Sequence, residues 1–127
     1  MTPTWLNETV QAFGRQMHLQ RFALNDRGAA GIRFENGLSL RLEYAHEALI
    51  VLVGFAAAAE PQTLRRVLTG AHYAVRGDRP VRAAYLARTG EAVFTLRLAE
   101  REVSVTALEA AFRQLWATAD NARRAVR

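Results

Sequence analysis

Between Gly31 and Phe55 the chain reads IRFENG, then LSLRLEYA and, after Ala45-His46-Glu47, ALIVLVGF. The first two segments alternate, with Ile32 and Phe34 set against Arg33 and Glu35, then Leu38, Leu40 and Leu42 against Ser39, Arg41 and Glu43. Alternation at a period of two sends successive side chains to opposite faces of an extended strand. Asn36-Gly37 accepts the positive φ angles of a tight turn at little cost, which predicts a hairpin joining the two. The expected product is a three-stranded antiparallel meander with one apolar side. A sheet of that kind must find a cover.

Trp5 to Met17 reads as a first helix, because Leu6, Val10, Phe13 and Met17 fall on one stripe. Thr4 is placed to cap it, and Gly14 within it predicts close packing against the sheet. Residues 18–25 form a short extended piece through Phe22 and Leu24, ending at an Asp26-Arg27-Gly28 turn. Glu60-Pro61 opens a second helix with a stripe of Leu64, Val67, Leu68 and Ala71. Gly77-Asp78-Arg79-Pro80 marks a turn, and two strands follow, Val81–Arg88 and Ala92–Ala99, joined across Thr89-Gly90-Glu91. Thr106-x-x-Glu109 has the form of a capping box opening a long helix striped by Leu108, Phe112, Leu115, Trp116 and Ala119. The tail 121–127 is expected to fray. The fold class is therefore α+β, a single domain over 1–127 in the order α-β-β-β-α-β-β-α, its antiparallel sheet covered by helices.

A chain of 127 residues is long enough to bury a core. Cysteine is absent, which excludes disulfides and thiolate chemistry and fits a reducing bacterial cytoplasm. The N-terminus has neither the basic start nor the apolar core of an export signal, and the run Ala48–Ala59 is too short to span a bilayer. Every base is Arg. The net charge of +5 is uneven: residues 1–60 hold five Arg against six acids, residues 61–127 twelve Arg against six acids. Such a field attracts nucleic acid, acidic protein or an anionic membrane, and all-Arg usage also follows from a GC-rich coding bias.

Nothing in the sequence is arranged for catalysis. His18, His46 and His72 lack metal-ligand spacing, and Ser39 and Ser104, the only serines, sit in no nucleophile elbow. Glu35 and Glu43, each with an Arg two residues before it (Arg33 and Arg41), are expected to form cross-strand ion pairs on a solvated face. No catalytic, metal or cofactor site is expected. For nucleic acid the best candidates are Arg65, Arg66, Arg76, Arg79 and Arg82, with Tyr73 and Tyr85 as the few aromatic neighbours. No recognition helix or stacking sheet accompanies them, so a solvated helix edge explains them better. The second helix is short, contains Gly70 and is inserted between strands, which suits either a homodimer seam or packing within the chain.

The spacing as a whole resembles the class I chaperones of type III secretion systems, the Tir-chaperone-like proteins. The resemblance rests on Phe13-Gly14, Leu19, Phe22-x-Leu24-Asn25, Gly28, Ile32-x-Phe34, Glu35-Asn36-Gly37 and Leu40-x-Leu42-Glu43, and on the order of the later elements. It implies a non-enzymatic homodimer that holds the N-terminal region of a secreted effector extended and secretion-competent, a virulence function that also involves the secretion apparatus. It implies a dimer seam at Leu64, Val67, Leu68, Ala71, Val81 and Tyr85, and effector-binding grooves at Phe22, Leu24, Ile32, Phe34, Leu42 and Val53. The positive charge departs from the acidic balance common in that family. The alternatives are an interaction or regulatory domain of the same fold outside secretion, and an Arg-rich nucleic-acid-binding protein.

Overall fold

Three amphipathic helices and five strands, in the order expected, make up the computed structural model of the chain. It describes residues 2–73 and 79–125, the side chains of 70–73 excepted, so Ala71, His72, Tyr73 and Arg76 as candidate site residues lie outside the described set. The elements are α1 (Thr4–Gln16), β1 (Ala29–Arg33), β2 (Leu38–Ala45), β3 (Ala48–Ala56), α2 (Pro61–Tyr73), β4 (Arg82–Leu86), β5 (Glu91–Ala99) and α3 (Val105–Ala125), with a single 3-10 turn at Glu100–Glu102. All strand pairs are antiparallel and the sheet order is β1-β2-β3-β5-β4. Both edges are therefore short strands, β1 and β4.

The register settles which side of each strand faces the helices. Ile32 pairs with Leu40, Leu40 with Val53, and Val53 with Phe94, so these residues stand on one face together with Leu38, Leu42, Val51, Phe55, Leu96 and Leu98. All three helices cover this face: α3 lies over β3 and β5, flanked by α1 on one side and by α2 on the other, beside β4. Leu6, Val10, Phe13, Leu108 and Leu115 fill the layer between, all essentially inaccessible. Each such burial contributes on the order of 1.5–3 kcal/mol. Phe13 packs edge-on against Phe22 and Phe112, at 6.0 and 6.1 Å between ring centroids.

Several local expectations need correction. The residue before α1 is Pro3, with no side-chain cap, and Thr4 is already helical. Gly14 makes its close approach to Phe22, not to the sheet: a Cβ there would lie 2.8 Å from the Cβ of Phe22. Helix α1 ends in a Schellman arrangement, the Leu19 amide donating to the Gly14 carbonyl (2.7 Å) and the His18 amide to that of Arg15 (3.1 Å). His18 occupies the left-handed position usually held by Gly. The first hairpin is not a two-residue turn. The Phe34 amide donates to the Leu38 carbonyl and the Gly37 amide to the Phe34 carbonyl, so Glu35-Asn36-Gly37 form a three-residue loop with Gly37 at φ 92°.

The cap of α3 is Ser104, whose hydroxyl accepts from the Ala107 amide at 3.0 Å. Glu109, expected in a capping box, instead accepts from Arg113 and from Gln16 of α1. Helix α3 also continues to Ala125, past the point where the sequence suggests fraying. Ala122 is buried, and Arg123 is held by the Asn36 carbonyl and Asp120. Finally, Arg41 pairs with neither Glu35 nor Glu43. Its guanidinium lies 3.6 Å from Glu91, across β3 on β5.

Candidate protein-binding surfaces

With every described helix on one side, the described residues leave three kinds of surface uncovered: the two sheet edges, the outer sheet face and the outer side of α2. At the β1 edge the hydrogen bonds to β2 fall on Phe34, Ile32, Ala30 and Gly28, as the Phe34–Leu38 and Tyr44–Gly28 bonds require. The amides and carbonyls of Gly31 and Arg33 therefore point outward. Ala29, which would point the same way, is already bonded to the backbone and side chain of Asn25. The open stretch is short and has no side chain at Gly31, a geometry that admits an added strand.

Beside that edge stands an aromatic ledge. Phe34 meets Trp116 edge-on at 4.9 Å and stacks on Phe112 at 6.2 Å, and Phe34, Ile32 and Trp116 are only partly buried. Of the groove residues the sequence suggests, Ile32 and Phe34 are thus accessible here. Phe22, Leu24, Leu42 and Val53 are buried in the chain's own core. They face the helices, and the Leu24 amide is tied to Asn7 Oδ1 at 2.9 Å. Trp5 is 43% exposed at the start of α1 and was not among the suggested residues. Its signal in the sequence is that it falls off the Leu6–Val10–Phe13 stripe.

On the opposite side, α2 shows Leu68 at 59% exposure, with Leu64 half-buried beside it. Val67 and Val81 are buried within the chain, and the half-buried Tyr85 donates its hydroxyl to the Ala57 carbonyl at 3.0 Å. The two helix-bundle ends are joined by Arg66, which donates to the Ala125 carbonyl at 2.6 Å. A leucine exposed to that degree at the centre of a helix stripe is the strongest mark of an interface on this side.

Among the described residues no group of three or more His, Asp or Glu is placed to hold a metal ion, and no helix is long and apolar enough to cross a membrane. Two titrating groups are displaced. Arg79, 2.8 Å from Glu102, holds that carboxyl below its usual range, helped by the Ala99 amide. Tyr44 donates to Glu100, and that bond, with the adjacent carboxylate charge, pushes the phenol up.

No protein-family model matches the chain, and no curated protein matches it by sequence. Solved structures do. A chain of the ExsC–ExsE complex superposes with a TM-score of 0.80 at 16% identity, over 97% of this chain and 94% of that one. The Yersinia pestis type III secretion chaperone SycH, in complex with a fragment of YscM2, gives 0.66 at 15% identity, over 91% and 98%. The chain has the fold of the type III secretion chaperones. The HopA1–SchA chaperone–effector complex matches as well, at 0.74 and 16% identity over 98% and 99%. The same fold extends at lower similarity to YbjN, a putative transcription regulator from E. coli, at 0.56 and 7% identity over 91% and 86%.

Proposed function

We propose that this chain is a non-enzymatic, homodimeric chaperone that binds the extended N-terminal region of a secreted effector and keeps it soluble for export. The observation that carries this reading is the end-to-end superposition on chains of the HopA1–SchA chaperone–effector complex and of the complex of the type III secretion chaperone SycH with a YscM2 fragment. The surfaces suit the task. A client strand adds to the open β1 edge through Gly31 and Arg33 and sets its apolar side chains on the Ile32–Phe34–Trp116 ledge. Leu68 and Leu64 of α2 seat a second copy, with Val67, Val81 and Tyr85 supporting that seam from behind or beside it. Of the proposed groove residues, Phe22, Leu24, Leu42 and Val53 act from within the core by holding the ledge in place.

Light scattering on the purified chain, followed by affinity capture from the native lysate under a high-salt wash, tests the proposal. A dimer retaining one dominant secreted protein through that protein's N-terminal region is the expected result. A monomer that is stable throughout the micromolar range refutes it. The likeness to YbjN favours a second reading, a regulatory interaction domain outside secretion, which predicts a dimer whose captured partner is not secreted.

A further inference from the structure

We infer that the outer face of the sheet, at the corner where β4 meets β5, is a docking site for an acidic extended segment of the client. This rests on the client-binding reading for the source of the segment. The site is an open cleft of about 440 Å³ lined by Ile50, Arg79, Pro80, Arg82, Thr95 and Arg97. Arg82 lies opposite Thr95, and Arg97 lies opposite Ile50, so the two arginines share the face turned away from the helices. Arg79 is committed to Glu102 at 2.8 Å. Among the described residues, Arg82 and Arg97 have neither an ion pair nor a hydrogen bond from their side chains, and both are exposed. Among the described residues, Arg82 and Arg97 therefore carry positive charge that no ion pair offsets.

Its geometry selects the partner. Diagonal neighbours on one face of an antiparallel pair stand roughly 7–8 Å apart. Residues i and i+2 of an extended strand are about 6.6 Å apart on one side. A segment with carboxylates at alternate positions thus presents one to Arg82 and the next to Arg97, each accepting a charge-assisted, forked hydrogen bond. Ile50 and Pro80 provide an apolar floor for the aliphatic part of the same side chains. Single-stranded nucleic acid is disfavoured because the described lining of the cleft includes no aromatic side chain on which a base would stack. The excess of arginine in the second half of the chain, which the proposed seam and ledge do not use, finds a role here.

The test uses the full chain and a labelled ten-residue peptide alternating Glu and Val, read by fluorescence anisotropy in dilute salt. A Lys–Val peptide and an unlabelled thymidine oligonucleotide serve as comparison and competitor. The Glu–Val peptide is expected to bind, to weaken about tenfold in Arg82→Ser/Arg97→Ser, and to be unaffected by Arg15→Ser, an exposed arginine of α1 on the other side of the sheet. Thermal melts of each variant separate lost binding from lost fold, and amide shifts of Thr95 and Ile50 on peptide addition locate the site in the unmodified chain. Unchanged binding in the double variant overturns the inference, as does tighter, Arg82/Arg97-dependent binding of the oligonucleotide. Client capture that is indifferent to the double substitution sinks this inference and spares the chaperone reading. Peptide binding at the cleft without any captured client does the reverse.

Discussion

Gly54→Ala is the sharpest test of the packing described above. Gly54 sits within the β3–β5 ladder opposite Val93, on the outer face of the sheet. A Cβ there would lie 2.8 Å from Val93 Cγ1 and 2.9 Å from the Ala92 carbonyl oxygen. Val93 is 1% exposed and β-branched, so it has one favoured rotamer and no free space into which to turn. The Ala92 oxygen is backbone. Relief requires the two strands to separate locally, which costs about 1–3 kcal/mol. Against this, replacing a strand Gly returns about 0.5–1 kcal/mol of backbone entropy. Taking the middle of both ranges, the net expectation is a loss of about 1 kcal/mol, visible in urea unfolding at fixed protein concentration, since association would otherwise shift the midpoint. Adding Val93→Ala removes one of the two clashes and leaves the other. In a double-mutant cycle the second substitution should cost less on Gly54→Ala than on the parent, by about 1 kcal/mol. A Gly54→Ala protein as stable as the parent, or a cycle with no coupling, would refute the reasoning.

Three further outcomes are expected. Leu68→Asp should convert the dimer to a folded monomer in light scattering, whereas Val67→Asp should cost about 3 kcal/mol or more and unfold the chain, because Leu68 is exposed and Val67 is buried. His46 and Glu47 form the two-residue turn between β2 and β3 with both residues at positive φ and neither a glycine, so Glu47→Gly should raise stability by about 1 kcal/mol in the same unfolding assay. Glu102 has a folded-state pKa below its unfolded value, so its contribution is complete above the unfolded carboxyl range and fades as pH falls through the folded value. Arg79→Gln should flatten the acid limb of a stability–pH profile, and an unaltered limb would count against the ion pair.

Alternation made β2 legible residue by residue, since Leu38, Leu40 and Leu42 are buried and Arg41 and Glu43 lie on the other face. It could not orient β3. Ala48–Phe55 is apolar on both faces, and Leu52 and Ala48 are buried on the side that no helix covers. The groove residues suffered from the same degeneracy: Leu42 and Val53 carry the right chemistry for a client, but the register turns them under α3. The position of a cap within a Ser-x-Thr-x-x-Glu stretch was likewise open, because Ser104 and Thr106 both qualify and the end of the 3-10 turn decides between them. The β4–β5 hairpin was legible from its turn, but the cleft on it was not. It also needs β5 set beside β3, which brings Ile50 opposite Arg97, and no local pattern announces that pairing.

One feature of the assembly order follows from α3. The helix that covers the middle of the sheet is synthesised after all five strands, and its Arg123 reaches back to the Asn36 carbonyl of the first hairpin. While the ribosome is still making that helix, the strands from Leu38 to Leu98 are complete and their inner leucines, valines and phenylalanines lack the cover that α3 gives them. A nascent chain in this state resembles the clients proposed for the finished one, apolar and extended. Its own α1, carrying Leu6, Val10 and Phe13, and α2, carrying Val67, are already made and are the helices that can cover those side chains in that interval.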